Sequence, residues 1–136
     1  MSTSPEHARP DPRELVPVAP ELFVPDLRAA IAFYVDKLGF DLRRREPDFA
    51  VVGLGDAVVL LAHESLYGPM GGGPLAQRGA GIDIRIMVPD VNSVHRRCGE
   101  NGVTVVHDIA DRPYRLRDFI VADLNGFRLR FASPLG

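Results

Sequence analysis

Two carboxylates and two arginines lie in strand-like runs of this 136-residue chain. Because side chains alternate between the two faces of a strand, each of these residues is expected on one particular face of its strand. Glu21 lies in the first such run, while Asp83 and Arg85 share a later one. Arg130 lies in the last run. A carboxylate can act as a general base, and a neighbouring guanidinium can stabilise an oxyanion. The same groups can instead clamp a polar ligand or neutralise one another, because buried unpaired charge is costly. The sequence leaves all three interpretations open.

Apolar side chains accompany these charges on the same side of the strands. Phe23 lies two residues after Glu21, and Met87 lies two residues after Arg85, which is the period of side chains on one strand face. The pattern predicts a pocket with an apolar floor and a polar clamp, whereas the catalytic residues stay unknown. The candidate ligand-binding residues are Glu21, Phe23, Val58, Leu60, Asp83, Arg85, Met87 and Arg130.

An internal repeat indicates which elements position these residues. The triplets Val24-Pro25-Asp26 and Val88-Pro89-Asp90 are 64 positions apart (88 − 24), and each Asp is placed to cap a helix. Gly39 follows the first Asp by 13 residues (39 − 26), and Gly102 follows the second by 12 (102 − 90), as expected for helix ends. A chain built from two similar halves has a seam between them, where ligands tend to bind.

Hydrophobic periodicity predicts the same order of elements in each half, βαβββ, and therefore an α+β fold with two modules in tandem. The predicted helices cover residues 27–38 and 91–101. The predicted strands cover residues 19–24, 40–45, 49–54 and 57–63, then 82–88, 103–108, 117–122 and 127–132. We expect one structural domain comprising a flexible N-terminal tail (1–15), a first module (16–63), a Gly- and Pro-rich linker (64–81) and a second module (82–136).

Composition limits the partners. The formal net charge is −2 and the isoelectric point is near 6.1, so the chain has no basic field for nucleic acid or an anionic membrane. No run approaches the roughly 20 apolar residues of a membrane helix. The single Cys98 excludes an internal disulfide and suits a reducing cytoplasm. We therefore expect a cytoplasmic protein with a small-molecule partner, and no nucleic-acid or membrane partner.

Several motifs resemble the vicinal oxygen chelate superfamily, which includes glyoxalase I, extradiol dioxygenases and bleomycin-resistance proteins. They are Ala-x-x-Phe-Tyr at residues 30–34, Leu-Gly-Phe at 38–40, Arg-Asp-Phe at 117–119 and Asp-x-Asn-Gly at 123–126. The chain is most similar to the metal-free, bleomycin-resistance-like branch. The resemblance implies curved mixed sheets of four strands around a concave cleft, and a homodimer.

Metal enzymes of that superfamily draw their ligands from four strand positions, which correspond here to Ala19, Leu60, Asp83 and Arg130. Alanine and leucine offer no donor atom, and arginine does not give up its proton to become a ligand. The resemblance therefore predicts no metal site in this chain, and we expect no cofactor.

These observations favour a metal-independent small-molecule-binding protein that sequesters an antibiotic or a metabolite in a cleft between the modules. The main alternative is a lyase, isomerase or dioxygenase-like enzyme in which Asp83 or Glu21 works beside Arg85 or Arg130. The second alternative is a structural dimer whose cleft is filled by its own side chains. We expect a binder rather than an enzyme.

Overall fold

A computed structural model describes residues 9–66 and 78–136 and contains two four-stranded mixed sheets and two helices within those ranges. A short 3-10 turn (Pro12–Glu14) precedes the first half. The elements of the first half are β1 (Glu21–Val24), α1 (Leu27–Ala32) with a π-helical turn (Phe33–Lys37), β2 (Asp41–Glu46), β3 (Phe49–Leu54) and β4 (Ala57–His63). Those of the second half are β5 (Ile84–Met87), α2 (Val91–Glu100), β6 (Thr104–Asp111), β7 (Leu116–Ala122) and β8 (Arg128–Pro134). The predicted α+β class with mixed four-stranded sheets is confirmed.

The two sheets have the same strand order. It is β1-β4-β3-β2 in the first sheet and β5-β8-β7-β6 in the second, so β1 and β5 are edge strands. β1 and β5 run parallel to their neighbours, and the other pairs, which include the opposite edge strands β2 and β6, are antiparallel. The parallel registers place Glu21 beside Leu60 in the first sheet and Arg85 beside Arg130 in the second. Equivalent positions of the two copies therefore carry different chemistry.

Several element boundaries differ from the sequence prediction. The strand predicted to begin at residue 19 begins at Glu21, because Pro20 has no N–H to add to the ladder and contributes only its carbonyl oxygen, which accepts from Leu60 N at 2.9 Å. The first helix changes to a π-helical turn at Phe33, and β6 extends to Asp111. The tail, linker and module limits remain predictions, since residues 1–8 and 67–77 lie outside the described ranges.

The capping predictions hold in both copies. Asp26 Oδ1 accepts from Ala29 N at 3.0 Å, and Asp90 Oδ1 accepts from Asn92 N and Ser93 N at 3.1 and 3.3 Å. Gly39 and Gly102 have φ values of 87° and 69°, which is the left-handed conformation that favours glycine after a helix. The repeated triplet therefore starts a helix in each half.

One apolar core lies between the sheets and the helices and spans both halves. Leu22 and Val24 of β1 belong to it. Glu21 and Phe23 alternate with them and therefore lie on the opposite side of the sheet, which we call the helix-free face. The same alternation places Arg85 and Arg130 on the helix-free face of the second sheet. The largest side chains of the core are Tyr34, Phe40, Phe119, Phe131, Leu38, Leu61 and Leu129.

Polar contacts also join the halves. The Tyr34 hydroxyl, fully buried in the π-helical turn, donates to Asp123 Oδ2 at 2.7 Å. Arg97 Nη2 of α2 donates to the Asp36 carbonyl oxygen at 3.1 Å, and Asn101 Nδ2 donates to the Lys37 carbonyl oxygen at 3.0 Å. All three contacts hold the end of the first helical segment against the second half. Within the described residues, no helix has the length and apolarity needed to cross a membrane.

We expect Gly79→Ala to lower the free energy of unfolding by about 1–3 kcal/mol, as overpacking does. A Cβ at Gly79 would overlap the Gly126 carbonyl oxygen, which belongs to backbone and cannot rotate away. Chemical denaturation measures the change. Gly99→Ala is the matched control, because its Cβ meets nothing within 4 Å and it lies inside α2, where alanine is the better helix former. A Gly79→Ala protein as stable as the wild type would contradict this packing.

Candidate functional site

A cluster of charged side chains occupies the helix-free face of the second sheet and centres on Asp118, which is 0% exposed. Arg112 Nε donates to Asp118 Oδ1 at 2.8 Å, and Arg130 Nη1 donates to Oδ2 at 3.2 Å. The Tyr114 hydroxyl also donates to Oδ2. Arg112 and Tyr114 belong to the β6–β7 connection, which folds back over the sheet and covers the carboxylate.

Asp83 extends this cluster towards the edge strand. Arg130 Nη2 donates to Asp83 Oδ2 at 2.9 Å, and Arg128 Nε lies 2.7 Å from Oδ1. Arg130 therefore bridges two carboxylates, Asp83 and Asp118. Both oxygens of Asp83 therefore lie within ion-pair distance of a guanidinium group.

The electrostatics of the cluster favour the charged form of Asp118. Burial by itself raises the pKa of the Asp118 carboxyl, but hydrogen bonds from Tyr114, Arg112 and Arg130 outweigh burial and leave the pKa below 3.8. The hydrogen bond to this carboxylate raises the pKa of Tyr114. Tyr114 is therefore a neutral phenol at physiological pH, and Asp118 is its charged acceptor.

Arg85 and Glu21 are the two predicted charges that stay outside any network. Neither makes a hydrogen bond or an ion pair within residues 9–66 and 78–136, and Arg85 is exposed. They occupy equivalent positions of the repeat (85 − 21 = 64) and carry opposite charges. Arg85 pairs in register with Arg130, which carries the same charge, and within the described residues no carboxylate pairs with Arg85.

Arg85 also lines a cavity between the two halves, which has a volume of about 870 Å³. The walls come from the β3–β4 turn, the edge strand β5 and the beginning of α2, and they are mostly apolar. Its apolar lining residues include Leu54, Ala57, Ile86, Met87, Val88 and Val94. Asp56 and Asp90 provide the acidic groups of the lining. An adjoining cavity of about 300 Å³ shares Arg85, Asp56 and Ala57 with it and reaches Val58.

The structure brings together only part of the predicted site. Arg85 and Met87 line the 870 Å³ cavity, Arg85 and Val58 line the adjoining one, and Asp83 lines a third cavity of about 240 Å³. Three of the remaining residues, Glu21, Phe23 and Leu60, lie on the first sheet and line none of these cavities. Arg130 is held in the Asp118 cluster. Their role in ligand binding stays a prediction.

The four strand positions at which related enzymes hold a metal do not fit one here. Ala19 and Leu60 have no donor atoms, Arg130 is a cation, and Asp83 is paired with two arginines. In the described part of the chain, no group of three or more His, Cys, Asp or Glu side chains is placed to hold a metal ion. Burial raises the pKa of the Cys98 thiol to about 11, so the thiol stays protonated and is a poor ligand.

Sequence reasoning missed three members of the cluster, namely Asp118, Arg112 and Tyr114. A usable signal existed for Asp118, because the hairpin around residues 124–126 pairs Ile120 with Arg130 and places Asp118 on the same face. No comparable signal existed for Arg112 and Tyr114, which reach the face only through the fold of the β6–β7 connection.

Comparisons with known proteins are consistent with this fold. Residues 15–131 match the sequence model of the Glyoxalase/Bleomycin resistance protein/Dioxygenase superfamily. TioX from Micromonospora sp. ML1 superposes with a TM-score of 0.70 at 24% identity, covering 85% of this chain and 94% of TioX. A glyoxalase/bleomycin resistance protein from Streptomyces sp. CB03234 gives 0.67 at 22% identity, with 83% and 96% covered.

A glyoxalase/bleomycin resistance protein/dioxygenase family enzyme from Burkholderia phytofirmans PsJN gives a TM-score of 0.69 at 21% identity, with 86% of this chain and 97% of that chain covered. No curated protein sequence matches the chain. At these identities the structural likeness shows the fold alone, and it extends to one protein described as a glyoxalase/bleomycin resistance protein and to one described as an enzyme.

Proposed function

Because this chain belongs to the Glyoxalase/Bleomycin resistance protein/Dioxygenase superfamily, we propose that it is a metal-independent member that binds a small molecule between its two halves. The 870 Å³ cavity carries the proposal. Its volume lies within the range of small-molecule sites, roughly 300–1,000 Å³, and such sites combine apolar walls with a few polar groups. Arg85, charged and without a partner in the described residues, is the polar group most available to a ligand.

The lining favours an amphiphilic ligand, such as an antibiotic or a metabolite with an apolar body. Met87 and Val94 offer apolar surface, while Arg85 and Asp56 offer opposite charges at the border with the adjoining cavity. Sequestration of such a molecule, without turnover, is the proposed activity. The metal-free, bleomycin-resistance-like branch is the part of the superfamily to which we assign the chain.

We further propose that the protein is a cytoplasmic homodimer. Val18, Ile82 and Met87 are exposed apolar side chains, and burying them against a second copy would remove them from water. A free buried Cys98 is consistent with a reducing compartment.

An enzyme of the same superfamily is the second candidate, and one observation favours it. Glu21 has no partner in the described residues, so its carboxylate is available as a base, whereas Asp83 is engaged by Arg128 and Arg130. Glu21 does not line the cavities described above, so binding without turnover remains our leading proposal. A structural dimer with a filled cleft is the third candidate, and the 870 Å³ cavity is evidence against it.

The test is a thermal-shift screen with planar aromatic compounds in anionic, neutral and cationic forms, since a ligand that binds only the folded state stabilises it. For a compound that raises the Tm, we expect Arg85→Gln to weaken the Kd about tenfold, about 1.4 kcal/mol. Arg45→Gln, an exposed arginine of β2, should leave the Kd unchanged.

Four results would contradict parts of the proposal. A screen without any stabilising compound would favour the filled dimer, and a Kd unaffected by Arg85→Gln would move the site elsewhere. If mass spectrometry shows that a bound compound is chemically converted, the result would favour the second candidate, an enzyme. Chelator treatment should leave the Tm and the Kd unchanged, and a loss of either would argue against metal independence.

A further inference from the structure

The N-terminal segment covers the helix-free face of the first sheet. We call residues 11–20 the strap. At one end of the strap, Glu14 is 8% exposed and accepts from Arg44 Nε at 2.9 Å on the edge strand β2. At its other end, the Pro20 carbonyl oxygen accepts from Leu60 N on β4 at 2.9 Å. The strap therefore crosses the sheet from β2 towards β1.

A bulge turns a second arginine onto the face beneath the strap. The β2–β3 register passes from Leu42 opposite Val52 to Arg44 opposite Val51, which leaves Arg43 as the extra residue. Bulges of this kind change the direction of a side chain. Arg43 Nη2 donates to the Gly55 carbonyl oxygen at 2.7 Å, and its guanidinium lies where a Cβ at Gly53 would be. The bulge and the glycine together make room for Arg43.

The Arg43 guanidinium is incompletely satisfied. Its Nε and Nη1 atoms are buried and have no hydrogen-bond partner among residues 9–66 and 78–136, and the same holds for the Glu14 Oε2 atom. Buried donors without an acceptor are rare because losing their hydration is costly, and those of a cation are the most costly. An anion placed beside Arg43 would supply the missing acceptor.

We propose that Arg43 and Arg44 form a binding site for a small organic carboxylate, and that Glu14 occupies part of it in the free protein as an internal competitor. The Glu14 carboxylate shows that the face accepts this chemistry, and because Arg44 Nη1 also donates to Glu46 Oε1 at 3.1 Å, the buried donors of the two arginines left unpaired among the described residues are those of Arg43. Phe49, whose ring centroid is 5.3 Å from Arg44 Cζ, offers an aromatic surface for the body of the ligand. This site lies on the first sheet and does not depend on the cavity at β5.

A tethered carboxylate has a high effective concentration, so a free carboxylate that contacts both arginines must displace Glu14 from Arg44. Glu14→Gln removes the charge of the competitor and keeps its size. We expect benzoate, followed by NMR shifts of the β2 and β3 amides, to bind this variant at least tenfold more tightly than the wild type. Benzamide has the same shape as benzoate but no charge, so we expect it to bind each protein much more weakly than benzoate does.

Two matched variants assign the effect. Adding Arg43→Gln to Glu14→Gln should abolish the gain, whereas adding Arg45→Gln, an exposed arginine on the same strand, should not. Equal benzoate binding by the wild type and Glu14→Gln, equal binding of benzamide, or a gain that survives loss of Arg43 would each overturn the proposal.

A measurement on the unmodified protein keeps the proposal testable if Glu14→Gln does not fold. Saturating benzoate should accelerate hydrogen exchange at those amides of residues 11–20 that are protected in the free protein, because the ligand replaces Glu14 on Arg44. Unchanged exchange in the strap at saturation would also overturn it.

Discussion

Asp118→Ala should lower the free energy of unfolding by about 3–5 kcal/mol, the usual cost of removing one partner from a buried ion pair. Three side chains direct hydrogen bonds at this carboxylate, and two of them are arginines. Without Asp118, Arg112 loses its carboxylate partner and Arg130 retains only Asp83. Denaturant unfolding of the variant and the wild type measures the difference.

Asp111→Ala is the matched control for this prediction. Asp111 pairs with Arg117 at 3.0 Å, but its side chain is 61% exposed, so we expect a loss below about 1 kcal/mol. The pH dependence gives a further check. Because the pKa of Asp118 is lowered in the folded state, its contribution is present above the unfolded value of 3.8 and is lost as the pH falls through the folded value. An Asp118→Ala protein as stable as Asp111→Ala would refute the buried cluster.

Asp123→Ala should cost about 3 kcal/mol or more, because each buried donor left without an acceptor costs roughly 1–3 kcal/mol. Asp123 Oδ1 accepts from Asn125 N at 2.8 Å and from Phe127 N at 3.0 Å, while Oδ2 accepts from the Tyr34 hydroxyl. The variant would leave the hydroxyl of a fully buried tyrosine unpaired. It would also release the turn that packs against the first half, so calorimetry should show a lower and broader transition.

Asp123→Asn separates charge from hydrogen bonding at the same position. Burial raises the pKa of Asp123, and the hydrogen bonds from Tyr34, Asn125, Phe127 and Gly126 only partly oppose it. The folded protein therefore holds this proton more tightly than the unfolded chain does, and the contribution of Asp123 to stability falls as the pH rises above 3.8. We expect Asp123→Asn to become more stable relative to the wild type as the pH rises from 4 towards 6. A constant difference over that range would contradict the raised pKa.

Much of the fold is predictable from local chemistry. An aspartate after Val-Pro, a helical spacing of apolar residues and a glycine at the end define both helices, and the structure shows the caps that these residues predict. Alternation along β1 and β8 places Glu21 and Arg130 on the helix-free face, because a strand has a fixed period of two.

The site is less predictable because its geometry depends on interruptions of regular structure. Alternation fails at Arg43, where the bulge adds a residue to the strand. It gives no information on Tyr114, which reaches Asp118 from a connection between strands. Nor does composition predict that Glu14, in a proline-rich segment, is buried against an arginine 30 residues away. The Glu14–Arg44 contact is long-range, while the other two depend on a bulge and on the path of a connection, so none of them follows from a regular pattern.

The π-helical turn explains why the two copies of the repeat differ in length by one residue. At the end of the first helical segment, the Phe40 amide donates to the carbonyl oxygen of Tyr34, six residues earlier. In the second copy the equivalent of Tyr34 is Cys98, 64 positions later. The Val103 amide donates to the Cys98 carbonyl oxygen, which is only five residues earlier. The extra residue of the first copy is therefore absorbed in the turn that carries Tyr34 to Asp123. The strand registers of the two sheets show that Asp123 in the second copy is equivalent to Leu54 in the first. If the two copies exchanged roles, Cys98 would face Leu54, and this pair cannot make the hydrogen bond. The duplicated halves are thus no longer interchangeable, because a chain made of two first copies or two second copies would lack the Tyr34–Asp123 hydrogen bond between its halves.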